Sequence, residues 1–232
     1  MEITENVIAV KERIAKAAAL CGRDPSEIAL VAASKMNSAD KVKEAVLAGV
    51  DACGENRVQE LLEKYEQGAY EGAPLHFIGT LQKNKVKYLV GKVSLIHSVD
   101  SFSLLQEIEK QAARRDLVQD VLLEINIAGE DSKSGMEASR LPEILEMAAP
   151  LEHVRILGLM AIPPICSDPE ENRPYFAKMR QLFVDNAGKK YDNNLMKCLS
   201  MGMSSDFETA ITEGATMVRV GTAIFGRRDY GI

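Results

Sequence analysis

Apolar residues recur along the chain in two rhythms, one of period near 3.6 and one of short unbroken runs, and these divide it into helices and strands. Over residues 2–22 the apolar positions Ile3, Val7, Val10, Ile14, Ala17 and Ala18 follow a helical period that stops at Gly22. Residues 28–35 then read IALVAASK, a run of small and β-branched residues set between Asp24-Pro25 and Asn37-Ser38. It is too short for a buried helix, which predicts a buried strand with Lys35 at its carboxyl end. Ser38-Ala39-Asp40-Lys41 opens an amphipathic helix through Val42, Ala45, Val46 and Ala48, closed by Gly49. The same alternation places further strands at 50–54, 75–79, 95–99, 120–127, 156–162, 198–203 and 217–225. Helices are expected between them at 57–67, 82–90, 102–115, 141–148, 171–186 and 206–213.

Eight strands alternating with helices imply right-handed βαβ crossovers and a parallel sheet, and that number closes on itself. The pattern predicts an α/β protein, a single (β/α)8 TIM barrel over residues 1–232 with an extra N-terminal helix. Only residues 226–232 follow the last strand, so the leading helix is expected to cover what a final helix would. An open doubly wound sheet is the alternative, but no GxGxxG follows the first strand. The loop 163–174 holds four of the eight prolines and reads as a stiff excursion after strand six.

Composition narrows the partners. With 46% apolar and 27% charged residues the chain is an ordinary globular protein. A net charge of −6 and a pI near 5.3 argue against nucleic acid and anionic membranes as partners. No apolar run approaches the ~20 residues that cross a bilayer, and no basic segment leads into an apolar one, so a cytoplasmic protein is expected. Cysteines 21, 53, 166 and 198 form no CxxC pair, and histidines 76, 97 and 153 show no ligand spacing. Reduced thiols and no metal are the expectation.

The carboxyl ends of barrel strands share one face, so residues distant in sequence converge there. On the predicted strands these are Lys35, Glu55-Asn56, Gly79-Thr80, Ser98 with Asp100, Asn126, Met160, the run 200–205 and Gly221-Thr222. Desolvating an ammonium is costly, and an amine freed of its proton is a nucleophile able to form Schiff bases. Lys35 either serves such chemistry or snorkels its charge into water. The SMGMSSD run offers hydroxyls at Ser200, Ser204 and Ser205 before a helix, and RVGTA offers Gly221 and Thr222. Hydroxyls, a close-approach glycine and a helix start make up a phosphate cradle, and the loops after strands seven and eight are where barrels often hold one. Judged singly, Ser204-Ser205-Asp206 also reads as an N-cap and Gly221 as a packing glycine. Arg219 interrupts the apolar run MVRVGTAIF on the same side as Met217 and Gly221, facing away from Val218 and Val220. A guanidinium aimed into a barrel needs an acceptor, either a strand-end carboxylate such as Glu124 or Glu55, or a ligand. Lys133, in a Gly/Ser-flanked loop, reads as a solvated lysine or as a transient acceptor of an aldehyde.

Seven motifs in order resemble one family over residues 5–230: LVAASK, GENRVQE, HFIGTLQKNK, NIAGEDSKSGM, GLMAIP, LSMGMSSDFETAI and MVRVGTAIFG. They are similar to the pyridoxal phosphate homeostasis proteins of the YggS/PROSC type, which share the barrel of the alanine racemase N-terminal domain. Arg57, Leu75 and Thr80 stand where that family commonly carries tyrosine, tryptophan, and histidine or proline. The resemblance implies that Lys35 holds pyridoxal 5'-phosphate as an internal aldimine. It implies a phosphate against Ser204, Gly221 and Thr222, a pyridine nitrogen facing Arg219, and Asn56, Ser200 and Met201 completing the cofactor-binding residues.

An arginine can donate to the ring nitrogen but not protonate it, which leaves the ring a poor electron sink. Alanine racemase also needs a tyrosine base from a second domain and a neighbouring subunit; among Tyr65, Tyr70, Tyr88, Tyr175, Tyr191 and Tyr230 none falls at a predicted strand end. The expectation is a cofactor carrier in pyridoxal phosphate homeostasis, with no catalytic residue of its own, passing the cofactor to apo forms of pyridoxal-phosphate enzymes. Without the racemase's partner domain a monomer is expected. A pyridoxal-phosphate amino-acid racemase and a barrel aldolase working through Lys35 on a sugar phosphate are the competing readings.

Overall fold

The computed structural model describes residues 2–130, 134–188 and 192–226 of the chain. Eight parallel strands close into a barrel in sequence order, β1 (Ala29–Ala33), β2 (Ala52–Glu55), β3 (Leu75–Phe77), β4 (Leu95–Val99), β5 (Gln119–Glu124), β6 (Val154–Met160), β7 (Asn194–Ser200) and β8 (Met217–Val220), and β8 pairs back onto β1. Around them run α1 (Glu2–Leu20), α2 (Ala39–Leu47), α3 (Val58–Glu66), α4 (Val86–Leu89), α5 (Phe102–Ala113), α6 (Leu141–Ala148), α7 (Arg173–Ala187), α8 (Phe207–Thr212) and the single turn α9 (Thr222–Phe225). The TIM barrel expected from the alternation is the fold observed. Among the described residues no helix is long and apolar enough to cross a membrane.

Strand alternation sorts the core into two parts. Leu30, Ala32, Cys53, Phe77, Val121, Leu123, Leu199, Val218 and Val220 point outward and pack with the helices. Val31, Ala52, Leu95, Leu122, Met160 and Met217 form a separate cluster that fills the barrel itself, with polar residues above it towards the carboxyl ends. The leading helix covers the seam between the first and last units. α1 packs on α2, α8 and α9; the Asn6 side-chain amide donates to the Ile224 carbonyl at 2.9 Å, and Arg13 makes a two-pronged bond of 2.8 Å per arm to Glu208.

Apart from strand ends that shift by two or three residues, as where β5 stops at Glu124, four stretches depart from the sequence reading. The run read as strand 217–225 stops at Val220, and TAIF folds into α9, because the Gly221 and Ala223 N–H groups turn towards the Ser204 hydroxyl instead of continuing the ladder. β7 begins at Asn194, four residues before Cys198, its polar start hidden in the sheet, and it leaves the sheet at Ser200. The helix expected at 82–90 is a 3-10 turn, Lys83–Lys85, followed by one α turn. The proline loop is pinned rather than merely stiff: the Asn172 side-chain N–H groups donate to the Pro164 carbonyl (3.1 Å) and to Asp206 (2.9 Å).

Candidate cofactor site

Lys35 emerges one residue after Ser34 at the top of β1 and borders a cavity of about 490 Å³, within the range of small-ligand pockets. Asn56 from the end of β2, Gly79 and Thr80 after β3, Glu124 from β5 and Ile162 after β6 share that cavity, with Met36, Arg57 and Glu60 at its edge. Asn56 lines the cavity, while its Oδ1 is buried with no hydrogen-bond partner among the described residues. Asn56 can lie where it does because Gly79 has no side chain: a Cβ there would fall 2.3 Å from the Asn56 carbonyl oxygen and 2.4 Å from its Cβ. Gly79→Ala is therefore expected to displace Asn56 and lower stability by about 1–3 kcal/mol in urea unfolding. An unchanged midpoint would show that the site tolerates the methyl group.

Below the cavity lies a buried polar chain. Arg219 Nη1 donates to Ser200 Oγ at 2.5 Å and Nη2 to the Ala161 carbonyl at 2.9 Å. Ser200 Oγ is 3.1 Å from His97 Nδ1, and His97 Nε2 is 3.1 Å from His76 Nδ1. An arginine only donates, so Ser200 accepts from it and has its own hydrogen for His97 Nδ1; His97 then donates from Nε2 to His76. That direction needs both imidazoles neutral. Burial pushes His76 down to about 4 and holds His97 well below its ordinary value, with the neighbouring His76 and then Arg219 adding to the effect on His97.

Arg219 is itself pushed down to about 10 by burial, against the attraction of Glu124 and Asp206. Glu124 is raised to about 7 by burial and by Asp100, with Arg219 opposing. Of the two carboxylates expected to meet Arg219, Glu124 thus acts on it at a distance. Glu55 faces out of the barrel, where its Oε1 accepts from Lys64 at 2.7 Å, and has no part in holding Arg219.

These shifts set the pH dependence of folding. An unfolded imidazole takes up a proton near 6.5, whereas folded His76 resists until about 4 and folded His97 is held well below its ordinary value, so acidification favours the unfolded chain. Glu124 works the other way, because its folded value lies above the unfolded one and protonation relieves a penalty between about 7 and 4.5. With two imidazoles against one carboxyl, stability falls from pH 7 to pH 5. In Glu124→Gln the opposing group is gone and the fall is steeper. Urea unfolding at both pH values tests this, and a pH-independent variant would contradict it.

The remaining predicted site residues are distributed unevenly. Ser204 Oγ accepts from the Gly221 N–H at 3.1 Å and the Ala223 N–H at 3.4 Å, which brings the ends of β7 and β8 together with Thr222 exposed beside them, but Ser204, Gly221 and Thr222 are not among the residues lining the Lys35 cavity. Asp206 is a buried brace, its Oδ1 accepting from the Met203 N–H at 2.7 Å, and Gly202 is left-handed (φ 89°) with Ala210 and Phe207 where a side chain would go. Ser200 lies beneath the cavity, spent on Arg219 and His97. The Met201 side chain points outward into the helix-facing core. Lys133 lies outside the described residues. The histidine pair was missed because 76 and 97 have no spacing in common; the available signal was that each sits at an inward position of its strand, LHF and LIHSV.

Comparison with known proteins places this geometry. Residues 6–229 match the alanine racemase N-terminal domain. The chain is 48% identical over 230 residues to the pyridoxal phosphate homeostasis protein of Aquifex aeolicus, covering 99% of this chain and 100% of that one. An unknown protein from Bifidobacterium adolescentis shares the fold with a TM-score of 0.89 at 37% identity, over 97% of this chain and 94% of the other. PipY of Synechococcus elongatus, solved with PLP bound, has a TM-score of 0.80 at 34% identity, over 92% and 100% of the two chains. The barrel and the domain match over nearly the whole chain put the protein in the alanine racemase N-terminal-domain class. Within it, the chain belongs to the pyridoxal phosphate homeostasis protein family.

Proposed function

We propose that this protein binds pyridoxal 5'-phosphate covalently through Lys35 and passes it to apo enzymes that use the cofactor, without turning over a substrate of its own. The observation that carries this reading is Lys35 lining a cavity of about 490 Å³ at the carboxyl ends of the strands, together with Asn56, Gly79 and Glu124. The donor set suits the cofactor. The Ser204 hydroxyl, its oxygen held by the Gly221 and Ala223 N–H groups, has its hydrogen to give to a phosphate oxygen, and Arg219, with only donors, suits the lone pair of a ring nitrogen. Bound pyridoxal phosphate supplies an aldehyde that condenses reversibly with amines and a ring that withdraws electrons. The chain's own residues do the rest: Lys35 presents the amine, Arg219 keeps a ring nitrogen unprotonated, and Ser200 with the two histidines fixes Arg219 from below.

Transfer rather than turnover is supported by what stands near Lys35. Racemisation needs a proton carrier on each side of the bound substrate. Of the described tyrosines, Tyr70 is buried outside the barrel, donating to Glu55 at 3.1 Å, Tyr65 and Tyr88 are exposed on the outer helices, and Tyr175 lies in α7. A monomer in the cytoplasm fits this role. The test incubates the loaded protein with an apo enzyme that requires pyridoxal phosphate, and separately with L-alanine. Reconstitution of the apo enzyme with no racemisation is the expected pair of results; racemisation well above that of free cofactor would replace the carrier with an enzyme.

A further inference from the structure

On the outer side of β2, reaching the cavity only through Glu60 and Met36, one lysine is buried among charges. Lys64 of α3 is 5% exposed, and each of its three ammonium hydrogens has an acceptor: the Ser34 carbonyl at 2.8 Å, Glu55 Oε1 at 2.7 Å and Glu60 Oε1 at 2.7 Å. Glu60 Oε1 also accepts from the Met36 N–H at 2.5 Å, and the Ser34 hydroxyl donates to Glu55 at 2.6 Å. Burial pushes the Glu55 carboxyl up, while Lys64 and Ser34 pull it back down, and its second oxygen is buried with no partner. A cluster of this kind is a poor source of stability, because apolar side chains of similar volume would serve as well or better.

The two backbone groups it grips explain its presence. The Ser34 carbonyl belongs to the peptide unit before the Lys35 Cα, and the Met36 N–H belongs to the unit after it. Both peptide planes that determine where the Lys35 side chain leaves the backbone are therefore held by the same three charged residues. Met36 is also left-handed, with φ 61°, a conformation that side chains other than glycine and asparagine seldom adopt and that persists only where neighbours impose it.

We infer that Lys64, with Glu55 and Glu60, forms a clamp whose role is to aim Lys35 into the cavity, making Lys64 and Glu60 positioning residues for the attack of the Lys35 amine on an aldehyde. That attack forms the carbon–nitrogen bond and releases one water, so its rate depends on how the amine is presented, and a displacement of ~1 Å can cost about a hundredfold. The inference rests on the proposed role of Lys35.

Its test uses the full chain, pyridoxal phosphate as the probe and two readouts: the rate at which a borohydride-reducible adduct appears on Lys35, and hydrogen exchange at the Met36 amide. Glu60→Ala removes the acceptor of that amide and should slow the adduct about tenfold and speed exchange. Glu60→Gln keeps an acceptor oxygen without the charge and should stay within about twofold of the parent protein. Lys64→Met should slow the adduct at least as much as Glu60→Ala; if it fails to fold, the Glu60 pair decides. Wild-type rates and exchange in a folded Glu60→Ala would overturn the clamp, and so would Glu60→Gln behaving like Glu60→Ala, since that would trace the effect to charge in the cavity. If the parent protein forms no adduct at all, the reading of Lys35 fails, while the Met36 exchange still decides whether the clamp exists.

Discussion

Lys35→Ala is expected to lose the yellow, borohydride-reducible adduct entirely and to bind pyridoxal phosphate at least about a hundredfold more weakly, near 3 kcal/mol. The Ser204–Gly221 hydrogen bond and Arg219 are untouched in the variant, so the loss isolates the proposed covalent contact. Lys35 is only half-buried and its side chain fills no core position, so the variant should fold with a midpoint close to the parent's when cofactor is absent. The difference should emerge on adding cofactor. At a hundred times the parent's Kd the parent gains about 2.7 kcal/mol, whereas a variant binding a hundredfold more weakly gains about 0.4 kcal/mol at that concentration. Thermal scans with and without pyridoxal phosphate read this directly. Equal stabilisation of the two proteins would place the amine elsewhere.

Arg219→Leu is expected to be the most destabilising single change near the site, at about 3–5 kcal/mol in urea unfolding. It leaves the Ala161 carbonyl without its guanidinium donor and breaks the chain through Ser200 to the histidines. The pH dependence should separate this from simple loss of packing. Arg219 holds the Glu124 carboxyl down, so its removal lets that carboxyl rise beyond about 7. A folded value further above the unfolded one enlarges the penalty as pH rises through it, so the loss should be greater at pH 8 than at pH 5. His97 shifts up as well once the guanidinium is gone, which eases its protonation at low pH and acts in the same sense. A destabilisation equal at both pH values would mean that Arg219 contributes packing and hydrogen bonds alone.

The barrel could be read from the chain because parallel strands buried on both faces are written as short apolar runs, and each here alternates with a helical period. Lys35 and Arg219 stood out for a related reason, as charges placed where the pattern otherwise demands apolar residues. What remained hidden depends on contacts between strands or across the sheet. In GENRVQE, neighbouring residues face opposite ways: Asn56 enters the cavity, while Glu55 turns out to Lys64, nine positions along. Nothing in the spacing marks Lys64 as holding the backbone on either side of Lys35, because the link crosses from α3 to the end of β1. TAIF, apolar and ending in Phe225, has the composition of a strand, and it is contacts from elsewhere, Ser204 on the Gly221 and Ala223 N–H groups and Asn6 on the Ile224 carbonyl, that accompany its helical turn.

The most direct measurement is to incubate the purified protein with pyridoxal phosphate, reduce it with borohydride, and locate the phosphopyridoxyl mass by peptide mapping. A single stoichiometric label on Lys35, accompanied by loss of the visible absorbance, is the expected result. A label on another lysine, or a protein that stays colourless and unlabelled, would contradict the assignment of Lys35 as the residue that holds the cofactor.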